Sequence, residues 1–364
     1  MPQNYNKLRN VVGNAWYGTT TTETGYFDLP AGTTAQRPTS ADAGMQRYNT
    51  TLGYIEWYDA TSSIWRPIYQ SPTLNLEYLV LAGGGGGGGS TAGGGGAGGY
   101  RTNVSGQTSG GGSSAEPALT LQTGIAYSLT IGAGGAGGRK SDDGTPNNTN
   151  GSDSVLHTIT SLGGGYAYSG RASGSRNANT GGSGGGGGTY SGNDIPTSSG
   201  AAGTANQGYA GGNGDTPGSW GGGGGGGAGG VGQPSSGTRQ GGAGLSSNIT
   251  GTAVTRGGGG GGGAYNSGQT SGGTGGGGSG GDGQTYTATS GTTNTGGGGG
   301  GSGFYQYGPN PSGGNGGSGV VIIRIPNSFS ATFSAGISWS VDTSTVSGYK
   351  VYTCTAGTGT VTFS

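Results

Sequence analysis

Residues that usually carry chemistry are scarce in this chain and poorly spaced for it. His157 is the only histidine, and it lies between Leu156 and Thr158 in a strand-like run. A Ser-His-Asp triad or a Cys-His pair needs a partnered histidine, and a histidine metal cluster needs several. A structural role is the expectation for His157. Asp142-Asp143 sit among Gly, Ser and Asn, which predicts a solvated turn. Gly211-Gly212-Asn213-Gly214-Asp215 is similar to one calcium-binding glycine-aspartate repeat, but it occurs once and out of register. No glycine run is followed by Lys-Ser or Lys-Thr, so no phosphate-binding Walker loop is present. The pattern G-x-G-x-x-G recurs, as chance dictates in a chain with 101 glycines. The expectation is a protein that is not an enzyme and uses neither cofactor nor metal.

Aromatic and arginine side chains remain, set in polar segments between the glycines. These are Tyr100 and Arg101; Tyr166, Tyr168, Arg171 and Arg176; Tyr190 and Asp194; Tyr209; Tyr265; Tyr286; and Phe304, Tyr305 and Tyr307. Tyr, Trp and Arg dominate binding hot spots, and Ser, Gly and Asn supply adaptable hydrogen bonds. These residues are therefore the candidate receptor-binding set. The alternative for each tyrosine is to cover a glycine helix or cap the scaffold. For Trp220, directly before a glycine-rich run, packing is the expectation. A second group, Met45, Tyr48, Trp57, Tyr58 and Trp65, is the candidate attachment and oligomerisation set.

Positioning these groups is a problem of composition. Of 364 residues 101 are glycine and 13 proline, and only 27% are apolar, too few for an ordinary globular core. Collagen is excluded because no strict Gly-X-Y period exists. Charged disorder is excluded because 14 Lys+Arg balance 14 Asp+Glu. The same balance removes the clustered basic surface that nucleic acid requires. One cysteine, Cys354, excludes an intrachain disulfide. The opening MPQNYNKLRN lacks a signal-peptide pattern, which predicts synthesis in a cytoplasm without secretory export. The longest apolar runs, Tyr78–Ala82 and Val320–Ile325, are too short to span a bilayer.

Glycine runs occupy 83–89, 93–99, 132–138, 163–165, 181–188, 221–230, 257–263, 272–281, 296–303 and 313–319. A flexible spacer would need neither matched lengths nor intervening turns. In polyproline II geometry seven to ten residues span about 22–31 Å, with no hydrogen bonds inside the helix. Packed side by side, helices without Cβ atoms approach closely. Each N–H and C=O then bonds a neighbour at about 1 kcal/mol net, with Cα–H···O contacts adding to this. The pattern predicts a layered polyglycine II sandwich. Interior helices must be nearly pure glycine, while outer ones tolerate Ser, Ala or Asn on one face.

The rest of the chain reads as β structure. Residues 1–72 hold three strand-like segments, Gly44–Thr50, Tyr54–Tyr58 and Ile64–Ile68, forming an N-terminal β attachment module. Residues 73–327 form the glycine domain, bracketed by the buried strands Glu77–Leu81 and Val320–Ile325. Residues 328–364 read as a C-terminal β-hairpin, with Gly348–Thr355 and Thr360–Phe363 flanking a turn at Ala356–Gly359. The predicted fold class is mostly non-helical.

Two features carry a resemblance. Arg37-Pro38, Ala43–Thr50, Glu56–Asp59 and Trp65 look like a short β-module of phage fibre proteins. The bracket from Tyr78–Ala82 to Gly317–Arg324 resembles glycine-rich virion proteins of marine phages and the distal adhesin of T-even-type long tail fibres. That resemblance implies a virion tail-fibre protein, made in a host cytoplasm, with tip loops that contact a host outer-membrane protein or surface glycan. It implies other tail or fibre proteins as partners, and either a homotrimer or a monomer capping a trimeric fibre. The alternatives are a structural virion fibre or decoration protein and, from another class, an ice-binding glycine-helix bundle.

Overall fold

The structure, a computed structural model, describes residues 29–68, 72–139, 147–169, 177–189, 198–214, 221–265, 268–304 and 312–364. The chain divides into two compact units, Met1–Pro72 and Thr73–Ser364. No α-helix occurs among the described residues.

In the first unit, β1 (Ala31–Gly32), β2 (Gln46–Asn49), β3 (Tyr54–Asp59) and β4 (Ile64–Pro67) form one sheet in that order. The turns use Gly44 and Gly53, both at positive φ. Tyr48 stands opposite Ile55, and Arg47 opposite Glu56, so alternate residues sort onto two faces. On one face Glu56 is fully buried and receives Arg37 at 2.6 Å, Arg47 at 3.4 Å and the Asn49 amide at 3.1 Å. The Arg47 guanidinium also lies 5.9 Å from the Trp65 ring centre. Burial works against ionisation of Glu56, but the Arg37 and Asn49 hydrogen bonds and both arginine charges outweigh it. Its carboxyl is held below the ordinary 4.5.

In the second unit the strands in chain order are β5 (Thr73–Leu81), β6 (Tyr100–Thr102), β7 (Leu119–Gln122), β8 (Ala126–Ile131), β9 (Ser154–Leu156), β10 (Ile159–Ser161), β11 (Leu245–Ser247), β12 (Val254–Arg256), β13 (Val320–Pro326), β14 (Ala331–Phe333), β15 (Ser338–Asp342) and β16 (Tyr349–Phe363). The bracketing strands β5 and β13 pair antiparallel, with Val80 opposite Val321. Both are buried on two faces. Tyr78, Val80, Val321 and Ile323 pack into one apolar cluster, while Leu79, Leu81, Val320 and Ile322 pack into another. Around this pair the sheet runs β10-β9-β8-β16-β13-β5-β6, with β14 and β15 also on β16 and β7 on β5.

The C-terminal hairpin has a different turn from the expected one. Ala356–Gly359 lies inside the 15-residue β16, which pairs first with β13 and β15 and then with β8 and β14. Gly357 takes φ 107° in mid-strand, where a Cβ would lie 1.9 Å from the Gly336 carbonyl oxygen. The glycine therefore permits close approach rather than reversal. The hairpin is β15–β16, turning through 343–348. This terminal segment belongs to the same compact unit as the glycine array.

Between these strands the chain passes back and forth in extended runs that are neither helix nor ladder. Their hydrogen bonds have a period of three. Gly83 and Gly86 donate to Ser152 and Thr149; Gly84 and Gly87 donate to Gly317 and Gly314; Gly85 and Gly88 donate to Gly96 and Gly93. Each run thus bonds three different neighbours in rotation, the signature of a three-residue helix without internal bonds. The same rotation governs 92–99, which donates to 221–228, 296–303 and 162–169. Six runs (82–88, 92–99, 182–188, 221–228, 257–264 and 296–303) are enclosed on all sides. Apart from Ala97, Ser183 and Ser302, their interior positions are glycine. A Cβ on Gly95 would lie 2.1 Å from the Gly85 carbonyl oxygen, and one on Gly260 would lie 2.0 Å from that of Gly299. Outer runs carry side chains on their free face. In 132–138 the exposed residues are Ala133 and Ala136, three apart, and Arg139 continues the series.

Candidate functional site

Hydrogen-bond registers fix the direction of each run, and so which connections share an end. The run 82–88 leaves the sheet, reverses at Gly89-Ser90-Thr91, and returns as 92–99 into β6. Runs 132–138, 162–169, 183–189, 208–214, 257–264 and 296–303 likewise leave the strand end. The opposite end therefore gathers the residues flanking 140–146, 170–176, 190–197, 215–220, 266–267 and 305–311. Two short described loops, 235–238 and 283–286, lie there too.

Arg171, Arg176, Tyr190, Asp194, Tyr305 and Tyr307 fall outside the described residues, as do Trp220 and Asp142-Asp143. The other candidates divide between the two ends. Tyr168, Tyr265, Tyr286 and Phe304 belong to the loop end, while Tyr166 lies midway along the run 162–169. Tyr100, Arg101 and Tyr209 belong to the strand end. Tyr100 is fully buried among Leu79, Leu81 and Val104, and burial pushes its hydroxyl up to about 12. It opens β6 opposite Leu81, because the run before it returns to the sheet. Arg101 binds Glu116 at 2.6 Å and donates to the Thr160 carbonyl at 2.9 Å. The Tyr78 hydroxyl donates to the same carboxylate at 2.8 Å. A groove of about 440 Å³ borders this pair, lined also by Ser109, Ser114, Asn206 and Gln207. Its charged groups are committed to one another. Tyr209 directs its hydroxyl to Gly112, where a Cβ would approach within 2.7 Å.

At the loop end Tyr168 is only 6% exposed, and its ring occupies the space over Gly188, whose Cβ would lie 2.2 Å from Cδ1. It covers a glycine helix. Tyr265, Phe304 and the loop 283–286 form one patch. A Cβ on Gly303 would meet the Ala264 carbonyl oxygen at 2.1 Å and Asp282 backbone carbon at 2.4 Å. Gly283, at φ 82°, abuts the Phe304 backbone, with a Cβ distance of 2.3 Å to its oxygen. The Tyr265 and Phe304 rings are 6.0 Å apart. Asp282 anchors the loop by accepting the backbone N–H groups of Gln284, Thr285 and Tyr286, each at 2.8 Å. Burial opposes its charge, but these backbone bonds prevail and hold its carboxyl below the ordinary 3.8. Tyr286, 47% exposed, projects from this pinned loop. Sequence reasoning identified the aromatics but missed Asp282, whose signal was an Asp-Gly-Gln turn after a glycine run.

His157 takes φ 52° in the tight turn between β9 and β10, with its ring edge-on to Tyr127 at 4.9 Å. Among the described residues no three His, Cys, Asp or Glu side chains gather closely enough to hold a metal ion. The described loop end offers aromatic faces, amides and hydroxyls, groups that can make apolar contacts and hydrogen bonds.

Comparison with curated proteins and with solved structures finds no match to this chain. A family model described as a glycine-rich domain matches residues 61–326, from the last strand of the N-terminal sheet to the end of β13. Since that span covers the whole glycine array and both bracketing strands, the chain belongs to the glycine-rich domain family.

Proposed function

We propose that the chain is a non-catalytic recognition protein of a bacteriophage tail fibre, using the loop end of its glycine block to contact a host surface protein or glycan. One observation supports the reading above all: the described residues that flank most of the aromatic polar segments lie together at one end of a block whose runs are bonded backbone to backbone. The described loop 283–286 is held in place by Asp282, and a loop ordered in advance loses little entropy on binding. At that end Tyr286 is held outward by Asp282 beside the Tyr265–Phe304 pair. The phage assignment comes from the resemblance of the β-module and the glycine bracket to fibre proteins.

The test measures binding of purified protein to whole Gram-negative cells, to outer-membrane vesicles and to purified lipopolysaccharide. Saturable binding to at least one is expected. Tyr286→Ala should weaken it at least about tenfold, as for a hot-spot residue. Trp339→Ala, equally exposed at the strand end, should leave it unchanged. Failure to bind any of the three, or equal effects of the two variants, refutes the reading. A virion-associated protein whose loop variants leave adsorption intact would be a structural fibre component.

A further inference from the structure

The groove beside Arg101 lies at the strand end, away from the loops, and every residue that lines it is described. Two separate segments, 113–117 and 205–207, line it together with Arg101 of β6 and Ser109. Ser113 donates its hydroxyl to Asn206 Oδ1, so the two segments meet there. Ser109 is fully buried and spends its hydroxyl on the Thr102 backbone of β6.

The groove has no net charge. Arg101 donates Nε to Glu116 Oε1 at 2.6 Å and Nη2 to Oε2 at 2.7 Å, and Nη1 goes to the Thr160 carbonyl. A carboxylate has about four acceptor sites. Arg101 fills two and the Tyr78 hydroxyl a third, which leaves one on Oε1. Gln207 is 9% exposed, yet its side chain is only half used. Its Oε1 accepts the Leu162 N–H at 2.8 Å, which fixes the end of the amide that is oxygen. Nε2 then has no partner among the described residues, in a side chain that lines the groove. A donor in a buried side chain costs free energy until something accepts from it. Asn206, at φ 64°, commits Oδ1 to Ser113, so its Nδ2 is a second donor without a described partner.

We propose that this groove binds a neutral saccharide, with Gln207 and Asn206 donating to its oxygens and Glu116 accepting from one of its hydroxyls. The chemistry of the lining selects that class. A hydroxyl both donates and accepts, so a ring bearing several satisfies the two amides and the carboxylate together. An anion would meet a guanidinium already bound to Glu116, and a cation would meet a carboxylate already neutralised by Arg101. An apolar molecule would cover both amide donors and accept from neither. The remaining lining side chains, among them Ala115, Pro117 and Ala205, are small and leave room for a ring. The volume of about 440 Å³ falls in the range of small-molecule sites, about 300–1,000 Å³. The site is also formed in advance. Gln207 is held at two points, its carbonyl by the Tyr100 N–H at 3.0 Å and its Oε1 by Leu162. No loop-end residue takes part, so this site is separate from the recognition surface proposed above.

The test titrates the full chain with D-glucose, D-galactose, N-acetyl-D-glucosamine and, for comparison, D-glucuronate, read by calorimetry and by side-chain amide NMR. Saturable millimolar binding of at least one neutral sugar is expected, with the Gln207 Nε2 protons shifting. Asn206→Asp keeps the oxygen that Ser113 uses and exchanges the donor for an acceptor, so it should weaken binding at least about tenfold. Gln207→Glu makes the same exchange beside Leu162 and should do likewise. Asn206 is exposed, so its variant covers the case in which Gln207→Glu fails to fold. Trp339→Ala removes an exposed ring on which a sugar can stack, and it should change nothing. The proposal is overturned if none of the three neutral sugars binds, if binding is unchanged in Asn206→Asp, or if Trp339→Ala abolishes it. Tighter binding of D-glucuronate would assign the groove to anions and overturn it as well. The loop-end reading is tested on Tyr286 and whole cells, so either proposal can fail alone.

Discussion

Replacing Gly95 by alanine tests whether the glycine block is a packed solid. The added Cβ would sit 2.1 Å from the Gly85 carbonyl oxygen and 2.7 Å from its carbon. Ordinary contact begins near 3.4 Å, so the runs 82–88 and 92–99 must separate locally by more than an ångström. Three bonds lie within that displacement: Gly85 N–H to Gly96 at 2.8 Å, Gly95 N–H to Gly299 at 2.8 Å, and Gly260 N–H to Gly95 at 2.9 Å. Each is worth about 1 kcal/mol net. Overpacking adds about 1–3 kcal/mol. The reduced freedom of the unfolded chain returns about 0.4–1 kcal/mol. The expected net loss is about 3–6 kcal/mol. Gly230 is the control: its Cβ would find nothing closer than 3.5 Å, so Gly230→Ala should be neutral or stabilise by up to about 1 kcal/mol. Denaturant unfolding of both variants gives the difference, and amide exchange of 93–99 locates it. If Gly95→Ala is as stable as Gly230→Ala, or if those amides exchange freely in the wild type, the runs do not bond laterally and the scaffold argument fails.

Glu56→Ala should unfold the N-terminal sheet, because it strands the buried Arg47 charge; the expected cost is about 3–5 kcal/mol, read by limited proteolysis of residues 29–68. Since the Glu56 carboxyl lies below its ordinary 4.5, its contribution is complete above that pH and disappears as pH falls through the folded value, so the sheet should open in acid. Arg101→Ala should destabilise the second unit by about 1–3 kcal/mol, by leaving the Glu116 carboxylate without its cation and with only the Tyr78 hydroxyl, while loop-end binding stays unchanged. The Cys354 thiol is fully buried and pushed by that burial to about 12, so a thiol reagent should label it only after unfolding; rapid labelling of the native protein would contradict the β16 packing.

The architecture was legible in the sequence because glycine leaves so few alternatives. A run enclosed on every side has no room for Cβ, so near-pure runs such as 257–263 announced interior helices. Continuous apolar runs announced β5 and β13, because only strands covered on both faces take that pattern. Which end of the block a residue occupies was hidden. Tyr100 and Tyr265 both directly follow glycine-rich runs, yet one is buried in the sheet and the other sits at the loops. The end is set by the parity of the passes, and parity cannot be counted from glycine alone. Runs such as 148–153 and 198–203 bond the array on one side only, so they keep Asn, Thr, Ser and Ala and read as loops. Within 272–281, Gly275 and Gly276 turn at φ 96° and 98°, so one apparent run is two passes. Local composition determined what could pack; only the three-dimensional bonding of each pass to its neighbours decided where the side chains emerge.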